Sequence, residues 1–145
     1  TLDECFERRQ LRLVALDLVK ARSSIETARD KAKQAQELVD ANFAQVALVT
    51  AYAAMFHAGR ALLYRDGVQE KSHYCLALYL REKYAKSGLI ESRFTTVMDA
   101  LREERHDVMY SIEKIKVNPR EVNFAIETAG DFIKKVDQIL NSGKA

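Results

Sequence analysis

The chain of 145 residues has no tryptophan, one proline, five glycines and two cysteines. So little turn punctuation disfavours a sheet protein, and no Asn-Gly or Asp-Gly pair sits between alternating segments as a hairpin would require. Cys5 and Cys75 match no CxxC or His/Cys zinc spacing. They can form one bridge, but the expectation adopted is two free thiols in a reducing cytosol. A chain of this length buries about two thirds of its unfolded surface, so it needs no disulfide or metal to fold. Neither charge dominates: 23 Lys and Arg face 21 Asp and Glu, for a formal net charge of +2. That excludes a strongly basic nucleic-acid coat and an acidic tail, but not a local basic site. Long apolar runs are also missing. Val46 to Phe56 is interrupted by Thr50 and followed by His57 and Arg60, far short of the ~20 residues of a membrane span. Thr1-Leu2-Asp3-Glu4 is acidic, with no apolar core behind a basic start. The expectation is a cytoplasmic protein without a signal peptide or membrane association. There is no glycine-rich phosphate loop, nucleophile elbow or HExxH, and no cofactor or metal is expected.

What is present is helical periodicity in a chain 48% hydrophobic and 30% charged. A short first helix is expected over about Leu2 to Arg9, with Asp3 near its start. From about Leu16 to Ala41, Leu18, Ala21, Ile25, Ala28, Ala32, Ala35 and Leu38 form one apolar stripe opposite Arg29, Lys31, Lys33 and Glu37. From about Phe43 to Arg65 apolar residues surround the helix and alanine fills the gaps, the pattern of a central, buried element. Gly67 supplies its left-handed cap. Ser72 caps a helix to about Lys86, ended by Gly88. Another runs from about Glu91 to Glu113. Asn118-Pro119-Arg120-Glu121 combines a cap, Pro at the first helical position and Glu two residues later, starting a last helix to about Leu140. Its stripe is Val122, Ala125, Ala129, Phe132, Ile133, Val136 and Ile139, and Gly143 follows it as a break. The sum is an all-α, antiparallel up-and-down bundle of four to five main helices. It is one domain over residues 1–145, with an N-terminal extension over 1–15 and the bundle over 16–141.

The chemically informative helix is Glu91 to Glu113. At about 100° per residue, Phe94, Val97, Met98, Leu101, Val108 and Ile112 share one face, and Arg105 falls in the middle of it. A guanidinium aimed at a core is costly unless it meets an anion or reaches a cleft. Arg102, His106 and Tyr110 follow one another at four-residue steps beside that face, and Asp107 lies farther round. Two guanidiniums bind phosphate and stabilise charge developing on it. An imidazole moves protons near neutral pH, and a phenol stacks on a base or bonds a phosphate. Together these groups suit metal-free RNA cleavage with the 2′-hydroxyl as nucleophile. The competing reading is a solvated charge ladder, the usual meaning of Arg and Glu at such spacing.

His57 sits on the buried helix beside Phe56, and His73 follows the Ser72 cap. Each reads as a satisfied core or capping histidine or as a ligand-binding one. Tyr52, Tyr64, Tyr74 and Tyr79 read as core and interface rather than as a stacking platform.

The segment Ala51-Tyr52-Ala53-Ala54-Met55-Phe56-His57-Ala58-Gly59-Arg60-Ala61-Leu62-Leu63 resembles the YYAMFHAARALL signature of small prokaryotic HEPN-domain proteins (higher eukaryotes and prokaryotes nucleotide-binding). Gly67 followed by Lys71-Ser72-His73 resembles the family's glycine and KSH element. Leu101 to Tyr110 resembles its LRxxRxxADY element. The resemblance covers roughly Ile25 to Leu140. It implies a helical bundle that commonly dimerises. It implies, in many members, a minimal nucleotidyltransferase as partner, sometimes as a toxin–antitoxin pair. Competent members are metal-independent endoribonucleases whose motif is an Arg followed four to six residues later by His.

Carried over by position, Arg105 matches the motif Arg and His106 takes the polar position after it. The motif His is Tyr110, as in the branch this chain most resembles, with Met109 in place of the usual preceding Asp. Arg102 matches a further Arg of that branch. The candidate catalytic residues are therefore Arg105, His106 and Tyr110, with His106 able to serve only if it turns into the same cleft. The candidate nucleotide- or RNA-binding residues are Arg102, Arg105, His57 and His73. Tyr110 is also a conditional modification site, since such tyrosines can be adenylylated. The expected function is binding of or action on RNA or a nucleotide, by a homodimer that is the toxin-like partner of a nucleotidyltransferase. The alternative is a non-catalytic nucleotide- or partner-binding scaffold. A purely structural dimer module is a third reading, with Arg105 enclosed and neutralised by Asp99 or Glu113 of a neighbouring chain.

Overall fold

The computed structural model describes residues 1–112 and 114–142. The expected roles of Glu113 and Gly143 lie outside the described residues. In chain order the elements are α1 (Leu2–Glu7), β1 (Leu11–Leu13), α2 (Leu18–Asp40), α3 (Ala44–Asp66), β2 (Val68–Glu70), α4 (His73–Leu80, continued by a π-turn over Arg81–Ala85), α5 (Ser92–Tyr110) and α6 (Pro119–Ser142). The architecture is the expected all-α bundle. A two-stranded antiparallel ribbon is added to it, with Leu11 opposite Glu70.

The caps explain most boundaries. Asp17 accepts from Lys20 N–H at 2.9 Å and starts α2. Ser72 accepts from Cys75 N–H at 3.1 Å and starts α4. Asn118 accepts from Arg120 N–H at 2.9 Å ahead of Pro119. Each satisfies a backbone donor that a helix start leaves open. Gly67 ends α3 at φ +73°, in the left-handed region glycine tolerates.

α3 is the central helix. It packs against α2, α6, α5 and α4, and Ala47, Ala51, Ala54, Ala58 and Ala61 are all buried along it. Small side chains let four neighbours approach one axis. The chain was expected to lack a segment long enough to cross a membrane, yet α3 is long and apolar enough by length and composition. It occupies the bundle interior, with 67% of its most apolar window buried. α6 buries its whole expected stripe, from Val122 to Ile139.

Three other expectations are corrected. Cys5 and Cys75 are not free thiols; they form a disulfide that ties α1 to the first turn of α4. The cytoplasmic expectation loses the support it drew from them. The helix starts at Leu18 rather than about Leu16, and Leu18, placed first on the α2 stripe, is exposed, so burial begins at Ala21. α5 ends at Tyr110, and its face leaves the core earlier. Leu101 is its last buried residue, Val108 is half-buried and Ile112 is fully exposed. The apolar periodicity runs on for two turns past the helices that cover it.

Candidate functional site

The overshoot of α5 creates the site. Beyond Leu101 the helix stands beside the start of α4, and the two form a groove of about 500 Å³. α4 contributes His73 and Tyr74, and α5 contributes Arg102, Glu103, Arg105, His106 and Asp107. From Cys75 to Leu80 every residue of α4 is buried, which anchors the helix and leaves its first turn to face the opening.

Arg105, expected on the apolar face, is half-buried on the groove wall. Its guanidinium lies 5.5 Å from the centroid of the Tyr52 ring. Among the described residues no carboxylate pairs with it. Within the chain, Asp99 holds Arg102 at 3.2 Å and also pairs with Arg81. Arg102 is 22% exposed and sits 5.3 Å from the Tyr74 ring centroid. Its Nε is buried without a hydrogen-bond partner among the described residues. A buried donor left unpaired costs about 1–3 kcal/mol. Glu103 and Asp107 are exposed on the rim, where water and salt screen their charge more than that of the half-buried arginines.

His106 does turn to the groove, although it is largely exposed. It packs on Tyr110, ring centroids 4.9 Å apart. Tyr110 is 63% exposed and is not among the described residues that line the groove. His73 lines it, with its ring stacked on Phe56 at 4.2 Å and its Nδ1 2.7 Å from the Tyr52 hydroxyl. Burial first, then Arg105, lowers His73 below the usual histidine range.

His57 is not part of this site. It borders a separate groove of about 240 Å³ with Lys20, Ser24, Arg60 and Tyr64. Its carbonyl accepts a hydrogen bond from Ser24 Oγ at 2.7 Å. Burial, then Arg60 and Lys31, lowers its imidazole. Arg60 itself is occupied by Glu70 at 2.7 Å. Among the described residues no cluster of His, Cys, Asp and Glu could hold a metal ion.

Two positions of the candidate site escape sequence reasoning. Tyr74, read as core or interface, is 52% exposed and forms a wall of the groove. Its one signal is its place in the first, outward turn of a helix that is otherwise apolar. Tyr52 is buried as expected, but its hydroxyl is bound to a histidine 21 positions away, which no spacing within one helix reveals.

No curated protein matches the chain. The family model of the HEPN domain matches residues 21–139, from the first turn of α2 to the last turn of α6, and the chain belongs to the HEPN-domain family.

Proposed function

We propose that the α4–α5 groove binds a phosphodiester of single-stranded RNA or the phosphate of a nucleotide. One observation carries this reading. Two half-buried guanidiniums, two imidazoles and an exposed tyrosine ring border one groove, and among the described residues no carboxylate pairs with Arg105. Arg102 and Arg105 take the phosphate, as planar forks suited to two oxygens. Tyr74 offers a face to a base.

The same constellation supports metal-independent endoribonuclease activity. In that step the 2′-hydroxyl oxygen attacks the adjacent phosphorus and passes its proton to the imidazole of His106. The bond from phosphorus to the 5′ oxygen breaks, and that oxygen takes a proton back from the imidazolium. The products are a 2′,3′-cyclic phosphate and a free 5′-hydroxyl. Arg105 steadies the charge that builds on phosphorus oxygens. RNA incubated in EDTA with wild type and with Arg105→Ala tests this. Cleavage by the wild type alone, with a cyclic phosphate end, is the expected result. Intact RNA in both supports the non-catalytic reading.

That second reading has its own observation. Tyr110 holds the motif histidine's place and points its ring to His106 and solvent rather than lining the groove. A binding module of this kind would retain nucleotide affinity without cleavage. Tyr110's exposure also suits modification of its hydroxyl by a minimal nucleotidyltransferase, the partner in a toxin–antitoxin pairing. Met109 and Ile112 are exposed beside Tyr110, and their apolar surface suits a second copy in a homodimer. Transfer of a nucleotidyl group to Tyr110 by such an enzyme, read by mass spectrometry against Tyr110→Phe, tests the first. Sedimentation of the Ile112→Glu variant tests the second.

A further inference from the structure

His73 reaches the groove from α4 and is restrained on two sides. Its ring stacks on Phe56 with 20° between planes, and Tyr52 holds its Nδ1 at 2.7 Å. Tyr52 is 2% exposed. Burial pushes its phenol up to about 12 despite the opposing pull of Arg105 and Arg102, so the hydroxyl keeps its hydrogen throughout the neutral range. Among the described residues His73 Nδ1 is the one atom in hydrogen-bond distance of that hydroxyl. A buried O–H with one partner donates to it, because an unmade bond there leaves the group desolvated for nothing. Nδ1 is then an acceptor, and the hydrogen of the neutral ring sits on Nε2.

That assignment separates two roles an imidazole can play. With Nδ1 occupied and Nε2 protonated, His73 has no free lone pair to take a substrate proton. It has one donor left, at the nitrogen available to a ligand.

We propose that Tyr52 fixes His73 as an uncharged hydrogen-bond donor to a non-bridging phosphate oxygen held between Arg102 and Arg105. The proposal rests on the phosphodiester reading of the groove and deepens it. Tyr52 is the positioning residue and His73 the contact. The groups that face His73 fit a neutral ring. Burial, Arg105, Arg60 and Arg102 all disfavour its cation, and Glu70 alone opposes them. A neutral donor adds direction to the site without adding charge. His73 should therefore affect affinity without affecting salt dependence, in contrast to Arg105, whose contact releases counterions.

The test uses a short single-stranded RNA with 2′-O-methyl groups at every position, which binds but cannot be cleaved. Fluorescence anisotropy gives its affinity at several salt concentrations. His73→Ala is expected to weaken binding about tenfold with an unchanged salt slope. His73→Gln, whose amide N–H reaches near the place of Nε2, is expected to recover most of the loss. Arg105→Ala is expected to weaken binding and flatten the slope. Nitrogen NMR of the wild-type ring at neutral pH is expected to show the hydrogen on Nε2, and Tyr52→Phe to release a mixture of tautomers. Loss of binding in Arg105→Ala with none in His73→Ala would overturn the role of His73 and leave the groove in place. No loss in either would overturn both. A wild-type ring protonated on Nδ1 would overturn the role of Tyr52, whether or not the Tyr52 variant folds.

Discussion

The guanidinium of Arg105 rests over the ring of Tyr52, 5.5 Å from its centroid. This contact explains how a charged side chain can sit on the apolar face of α5 without a carboxylate. The ring's negative face offsets part of the lost hydration, while the guanidinium edge keeps its donors for a ligand. Tyr52 thus serves two neighbours, with its face under Arg105 and its hydroxyl on His73.

Arg105→Lys tests whether geometry or charge matters at that position. Lysine keeps the charge but lacks the planar fork and packs less well on a ring. Nucleotide or RNA affinity is expected to fall about tenfold in Arg105→Ala and by a smaller factor in Arg105→Lys. Equal affinity of the lysine variant and wild type would show that charge alone suffices.

Stability should fall on mild acidification. Burial and neighbouring cations lower both His57 and His73 below the ordinary value of 6.5. As pH drops through the usual histidine range the unfolded chain takes up protons before the folded one. The unfolded state then binds more protons, so unfolding free energy rises with pH and is lost as pH falls toward the lowered values. Urea midpoints at a series of pH values from about 8 to 5 check this. His57→Gln and His73→Gln should each flatten part of the slope.

The bridge from Cys5 to Cys75 joins residues 70 positions apart. Removing a native disulfide from a small domain commonly costs about 2–5 kcal/mol. Reduction, or the double change Cys5→Ser with Cys75→Ser, is expected to lower the denaturation midpoint accordingly. Hydrogen exchange should rise first in α1 and β1, which then hold to the bundle only by β1–β2 pairing and local packing. Intact mass before and after alkylation under non-reducing conditions confirms the bridge itself.

Two glycine substitutions should move stability in opposite directions. A Cβ on Gly67 would meet the carbonyl oxygen of Val14 at 2.6 Å, at a φ of +73°. Gly67→Ala is expected to cost at least about 1–3 kcal/mol. At Gly130, inside α6, a Cβ meets nothing within 4 Å. Gly130→Ala should stabilise by up to about 1 kcal/mol through helix propensity. Thermal or urea melts of the two variants distinguish them.

The sequence made α6 readable almost completely. Its cap, its Pro at the first helical position and its stripe are local features, and the stripe is covered along its length by α3, α2 and α5. α5 was readable only to Leu101. Periodicity identifies a face but not where the covering helices stop, so Val108 and Ile112 looked like core. The ribbon of β1 and β2 has three residues per strand, too few for alternation to register. The disulfide depends on α1 folding back to α4, a tertiary event. The groove was half legible. Arg102, Arg105 and His106 lie on one helix and share a spacing signal. His73, Tyr74 and Tyr52 join them from two other helices, and His57, which shares the Ala51 to Leu63 segment with Tyr52, faces another groove.

The most direct test of the account is where RNA touches the protein. Amide NMR of the isotope-labelled chain, titrated with a short uncleavable single-stranded RNA, reports this residue by residue. The account expects the largest shifts at Ser72 to Cys75 and Leu101 to Asp107, with little change around Lys20, His57 and Tyr64. Shifts centred on that second groove, or none at saturating RNA, would contradict it.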